Sequence, residues 1–283
     1  MSTPATDREK NDERETMSAT AVAVGKPLSP DRSGLDPNRS VRHAGVIAGI
    51  GLLVMAVLGG FANFVALEGL VTQGDAARTA RDIMASEGVF RLGIASFFLM
   101  IVLDMVVAWA LYRVFSPVSA RISMLATWFR LVYAGVFLVA IGELVGALRL
   151  LGNQGYLTVF NADQLQAQAL LRIQAFTDIW NAGLVLFGIH LLVIAYLAYR
   201  SGYVPKPLGV LIGIAGFGYV FDSFAAALSR GHPIEISGFS FIGEFLLAVW
   251  LVIWGRRITL SEPVHPEEAV GKTTAIEPVP ARA

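Results

Sequence analysis

Six runs of roughly twenty apolar residues, set apart by short polar segments, dominate this 283-residue chain. They fall at about 44–67, 89–114, 120–145, 178–200, 207–228 and 238–255. A helix rises about 1.5 Å per residue, so each run reaches or approaches the length needed to cross a hydrocarbon core of roughly 30 Å. No water is present there to bond the backbone, and a single apolar run satisfies its own N–H and C=O groups only as a helix. The pattern predicts an all-α integral membrane protein with six transmembrane helices in one bundle. Composition agrees, with 55% hydrophobic and 16% charged residues, against roughly 45–50% and about 25% in soluble domains.

The polar residues are concentrated at the ends. Residues 1–43 ("TDREKNDERET", "SPDRSGLDPNRS") cannot bury enough apolar area to offset their ordering entropy. They are expected to form a disordered cytoplasmic arm, and 258–283 a disordered cytoplasmic tail. The first apolar stretch begins at Ala44 and is too long for a secretory signal. Between spans, "SPVSAR" (116–121), "RSGYVPKP" (200–207) and "SRGHPIEIS" (229–237) read as tight turns. Residues 68–88 and 149–177 are long enough for short surface helices. In the second, Asn161 can cap a helix whose apolar face holds Leu165, Ala169, Leu170, Ile173 and Phe176. That helix reads either as interfacial, lying on the bilayer, or as a lid packed on the bundle.

Basic residues near span ends orient a membrane protein. With the N-terminus inside, nine lie on the cytoplasmic side (Arg32, Arg39, Arg42, Arg113, Arg121, Arg200, Lys206, Arg256 and Arg257) and six on the other (Arg78, Arg81, Arg91, Arg149, Arg172 and Arg230). Both termini are therefore placed in the cytoplasm. The pairs Gly45/Gly49, Gly142/Gly146 and Gly209/Gly213, each four residues apart, are candidate helix contacts.

Ionisable groups inside the spans are the candidate site. Asp104 lies thirteen residues before Pro117 and Arg130 thirteen after it, so an antiparallel hairpin puts them at one depth. Each alone at mid-bilayer would cost roughly 2.5–3.5 kcal/mol; facing each other they form an intramembrane ion pair. Asp222 and Glu244 each lie eleven residues from Pro233, which predicts a second shared depth. Two adjacent carboxylates make a possible proton or cation site; facing different neighbours, they would only bond backbone or hydroxyl groups. His190, ten residues before Arg200, falls level with Asp104 and Arg130, as a packed core histidine or as part of that site. Glu143 is near a span end within reach of water. Asp178 reads as an N-cap.

The segments "RHAGVIAGIGLLVMAVLGGFANF" (42–64), "ATWFRLVYAGVFLVAIGEL" (126–144), "YLAYRSGYVPKPLGVLIGIAGFGYV" (196–220) and "GEFLLAVWLVIWGRR" (243–257) resemble one bacterial membrane family, domain of unknown function 4386. The turn "YRSGYVPKPLG" is its most specific part. The resemblance spans about residues 40–257 and implies a six-helix fold in a bacterial plasma membrane. It implies no activity, cofactor or catalytic residue. One departure is Tyr133, where such proteins often carry an acidic residue soon after the arginine of the third span.

The chain has no cysteine, which removes disulfides, zinc–thiolate sites and thiol catalysis. Its formal net charge is zero, which gives no field for nucleic acid. "HExxH", "GxxxxGK[ST]" and "GxSxG" are absent, so no catalytic set, metal motif or cofactor is indicated. A three-plus-three inverted repeat has only the weak match of "VLDMVVA" to "VFDSFAA" behind it. Three functions fit: a non-catalytic membrane component, such as a partner protein or stress-response factor; a small-solute or proton-coupled carrier using Asp222, Glu244, His190 and the central pair; or, least supported, a membrane-embedded enzyme. The lipid bilayer is the one partner the sequence itself specifies. A protein partner or a small solute is compatible with it.

Overall fold

A computed structural model describes residues 37–152, 155–228 and 240–258. The elements, in chain order, are α1 (Pro37–Gly60), α2 (Ala76–Ala85), α3 (Glu87–Phe115), α4 (Ala120–Leu151), α5 (Ala162–Arg200), α6 (Lys206–Leu228) and α7 (Ser240–Trp254). A π-helical segment, Phe61–Leu67, extends α1, and short 3-10 turns occupy Gly155–Val159 and Gly255–Arg257.

Among the described residues, five helices are long and apolar enough to cross a membrane: Asn38–Leu67, Glu87–Phe115, Ala120–Leu151, Ala162–Arg200 and Lys206–Ala226. The sixth predicted span is represented by α7, apolar but only 15 residues long. Its first predicted residues and the turn around Pro233 lie outside the described residues, as do most of both polar tails. Large apolar side chains such as Trp109, Trp128, Val139 and Phe217 point outward. So broad an apolar exterior belongs against lipid.

Each long helix packs on the next along the chain, α1 on α3, α3 on α4, α4 on α5, α5 on α6 and α6 on α7, and α7 returns to α1. The six helices thus close a ring. Two backbone approaches draw it tight. A Cβ on Gly49 of α1 would come to 2.8 Å from the Val252 nitrogen of α7. A Cβ on Gly188 or Gly216 would come to 2.7 Å from the other glycine's carbonyl oxygen, which locks α5 to α6. Of the pairs read from spacing, Gly45 and Gly49 meet Gly255 and Val252, and Gly209 meets Tyr199, whereas Gly142 faces open space. The spacing missed Gly188 and Gly216 because they stand on different helices.

The caps follow the sequence. Asp75 Oδ1 accepts from Arg78 N at 2.9 Å to start α2, and Ser119 starts α4. Asn161 and Gln164 form a reciprocal capping box at the start of α5. Three expectations are corrected here. Residues 37–43 are the first turns of α1 rather than disordered arm; Arg42 Nε there donates to Ile258 O at 2.8 Å, so the two ends of the bundle meet. The segment 161–176 is not a separate interfacial helix. It runs unbroken into the fourth span as one 39-residue helix, because no glycine or proline stops it before Gly183 and its face at Ala169, Leu170, Ile173 and Phe176 is buried in protein. For the same reason Asp178 lies inside a helix and caps nothing.

Candidate functional site

Arg130 of α4 is the hub of the interior, and its side chain is 1% exposed. Its Nη2 lies 2.6 Å from Oδ1 of Asp104 on α3, whose side chain is 2% exposed. The hairpin thus brings together the two charges that its arithmetic put at one depth. The contact is an ion pair of poor hydrogen-bond angle: neither Asp104 Oδ1 nor Arg130 Nε finds a well-aligned hydrogen-bond partner among the described residues. Charge neutralisation rather than bond geometry holds this pair.

The other side of the guanidinium meets α5. Arg130 Nη1 is 3.2 Å from His190 Nε2, and His190 Nδ1 is 2.8 Å from the Ala126 carbonyl oxygen. A carbonyl only accepts and a guanidinium only donates. His190 therefore carries its hydrogen on Nδ1 and presents the Nε2 lone pair to Arg130, a tautomer set by geometry. Both ring nitrogens are occupied. The Phe187 ring lies under the guanidinium at 5.3 Å, and Met55 Sδ of α1 is 4.0 Å from Nη2. Four helices, α1, α3, α4 and α5, thus surround one cation.

The remaining two reach it less directly. Glu244 of α7 acts electrostatically on the same neighbourhood, with Arg130 and Asp104 among the groups it interacts with. The Tyr219 hydroxyl of α6 donates to its carboxylate. Sequence spacing had paired Glu244 with Asp222 instead. Gly243, however, packs on Leu211 and Ala215, which precede Asp222 by eleven and seven residues. At about 1.5 Å per residue, Glu244 and Asp222 are separated in depth by roughly 10–16 Å. The shared-depth expectation assumed a symmetric turn about Pro233, and the packing of Gly243 sets a different register. Asp222 is half-buried and is not among the groups acting on Glu244.

An aromatic layer closes the centre on the side away from the α3–α4 turn. The Tyr133 oxygen accepts from Trp180 Nε1 at 2.9 Å, and Tyr133 packs on Phe187 with ring centroids 4.8 Å apart. Phe97, Phe137, Phe176 and Trp180 interlock beyond it, at centroid separations such as 5.4 Å for Phe97–Phe137 and 5.3 Å for Phe137–Trp180. Tyr133, the departure noted from the sequence, serves this layer. Sequence reasoning named Tyr133 and Phe176 for other reasons and did not join them to this layer, yet Tyr133/Phe137 and Phe176/Trp180 are both four apart and each pair falls on one helical face. Glu143, farther out on α4, pairs with Arg172 of α5 at 2.8 Å, on the surface and apart from the centre.

Comparisons with known proteins give a family and no function. Residues 47–255 match the family described as a domain of unknown function, DUF4386. An uncharacterized protein of the archaeon Archaeoglobus fulgidus is 39% identical over 166 residues, which cover 59% of this chain and 85% of that protein. No solved structure matches. The chain, an all-helical protein with an apolar exterior, belongs to the DUF4386 family.

Proposed function

We propose that the protein is a non-catalytic component of the bacterial plasma membrane, a six-span bundle with both termini in the cytoplasm. Its buried charges specify which helices pair. The observation that carries this reading is the closure around Arg130. Asp104, His190, Phe187 and Met55 occupy its surroundings, and the Asp104, Arg130 and His190 side chains are almost fully buried. A group so enclosed has no access to a substrate, and a guanidinium so partnered fixes the azimuth of four helices at once. The test is a double-mutant cycle on Asp104→Asn and Arg130→Gln, read as membrane abundance and melting temperature in mild detergent. Each single change leaves a buried partner uncompensated and is expected to cost about 3–5 kcal/mol. The double variant is expected to recover most of that loss. Strictly additive losses would mean that the two charges do not depend on each other.

A carrier reading is supported by one different observation. Asp104 is paired with Arg130 and Glu244 lies within the electrostatic reach of the same guanidinium, so two carboxylates share one cation and a proton or small cation would balance them. On that reading Glu244→Gln in proteoliposomes abolishes proton or cation flux while leaving the fold intact. A wild-type protein that shows no flux would leave the structural reading alone.

A further inference from the structure

An open-sided groove with a volume of about 650 Å³ lies between α3, α4 and α5, well away from the Arg130 centre. Its lower wall is apolar, with Phe98 of α3 and Leu138 of α4, both outward-facing. Its upper end carries two arginines, Arg149 of α4 and Arg172 of α5. Gly142 and Gly146 form the floor between them. A Cβ on Gly142 would meet nothing within 4 Å, and one on Gly146 would meet only the Arg172 side chain. The trough exists because these two positions lack side chains. This is what the pair contributes instead of the helix contact its spacing predicted.

Depth gives the groove its meaning. Arg130 stands ten residues into α4, about 15 Å along the axis, or halfway through a core of roughly 30 Å. The far boundary of the hydrocarbon then falls about ten residues beyond it, near Ala140. Phe98 and Leu138 lie on the hydrocarbon side of that level. Gly142 and Gly146 lie at headgroup depth and Arg149 at its outer edge. Charge follows the same gradient. Glu143 Oε2 takes Arg172 Nη1 at 2.8 Å, while Arg149 has no acidic partner among the described residues. Two cations and one carboxylate leave a net positive charge at the polar end of an apolar trough.

We propose that this groove holds one anionic phospholipid, its phosphate between Arg149 and Arg172 and an acyl chain along Phe98 and Leu138. A cationic end at headgroup depth joined to an apolar wall at hydrocarbon depth matches that molecule and no soluble anion. Basic pockets between membrane helices take anionic headgroups for this reason. Glu143, paired with Arg172 at 2.8 Å, holds that guanidinium beside the groove.

The experiment is native mass spectrometry of the full chain, purified in detergent and supplied with phosphatidylglycerol or with phosphatidylcholine of the same acyl chains. The expected result is one phosphatidylglycerol retained per chain in clear preference to phosphatidylcholine. Arg149→Gln should weaken retention about fivefold, on the scale of one cation near a charged surface. Gly142→Phe should abolish it by filling the trough. Neither variant should lower the melting temperature, because Arg149 has no acidic partner among the described residues and the Gly142 position is open. Should Gly142→Phe fold poorly, Arg149→Gln alone decides. Equal retention of both lipids, or unchanged retention in Arg149→Gln, overturns the proposal. So does displacement of phosphatidylglycerol by inorganic phosphate, since the groove would then be a free-anion site.

Discussion

Arg130 makes three kinds of contact at once, with a carboxylate, an imidazole nitrogen and an aromatic face, and only a planar fork can do so. Lysine offers a point charge, so it cannot replace arginine there. At the α5–α6 turn a polar side chain serves a backbone partner instead. Gly202 takes φ 74°, a left-handed conformation that turns the chain sharply, and the following Tyr203 hydroxyl donates to Val114 O at the end of α3, 2.6 Å away. Burial raises the ionisation of that hydroxyl above the ordinary tyrosine range. A raised value in the folded state makes the contribution complete below the unfolded value of about 10 and lost as pH climbs past it. Tyr203→Phe should thus lower stability by about 1–3 kcal/mol, the cost of leaving a buried carbonyl unpaired. In chemical denaturation the deficit should be constant between about pH 6 and 9 and should shrink above about pH 10. A deficit that varies across the neutral range would assign the effect to another group.

Helices in this chain are held by small residues on the protein side and large ones on the lipid side. Gly49 and the Gly188/Gly216 contact permit backbone approach, whereas Trp109, Trp128 and Phe217 face outward. Gly49→Val should therefore push α1 off α7 and cost about 1–3 kcal/mol or more by overpacking. Gly142→Ala should be close to neutral in the same thermal-melt assay. Equal effects at the two positions would show that glycine acts here through helix propensity and not through contact. The sequence marked both pairs by the same four-residue spacing and could not separate them, since spacing gives a face but not what lies against it. The long helix α5 illustrates the complementary error. Its polar first half and apolar second half read as two elements, but a helix ends where its hydrogen bonding is interrupted and not where its composition changes.

At the scale of the whole molecule the defining feature is closure. A Cβ on Gly45 would lie 3.5 Å from the Gly255 Cα, and the reverse distance is 3.6 Å. These values are compatible with the Cβ–Cβ separation of about 3.8 Å that a disulfide needs. The chain contains no cysteine of its own, so Gly45→Cys with Gly255→Cys offers a clean test. The bridge should form on mild oxidation, be visible as a mobility shift on a non-reducing gel, and raise the melting temperature through about 2–4 kcal/mol. Failure to form it would open the ring between α1 and α7.

The sequence alone determined which segments form long apolar helices and how far along its own helix each charge lies. Both are sums along a single axis: hydropathy adds over a window, and depth is a residue count times a fixed rise. That is why the hairpin at Pro117 predicted that Asp104 and Arg130 would meet. Only the tertiary structure decided azimuth and register. It turned Arg130 toward His190, set Glu244 beside Tyr219 rather than Asp222, and made a trough of Gly142 and Gly146. Helices apolar on both their protein and lipid faces carry little 3.6-residue signal to say which side looks inward. In such a chain, facing is settled by side-chain packing between elements far apart in sequence.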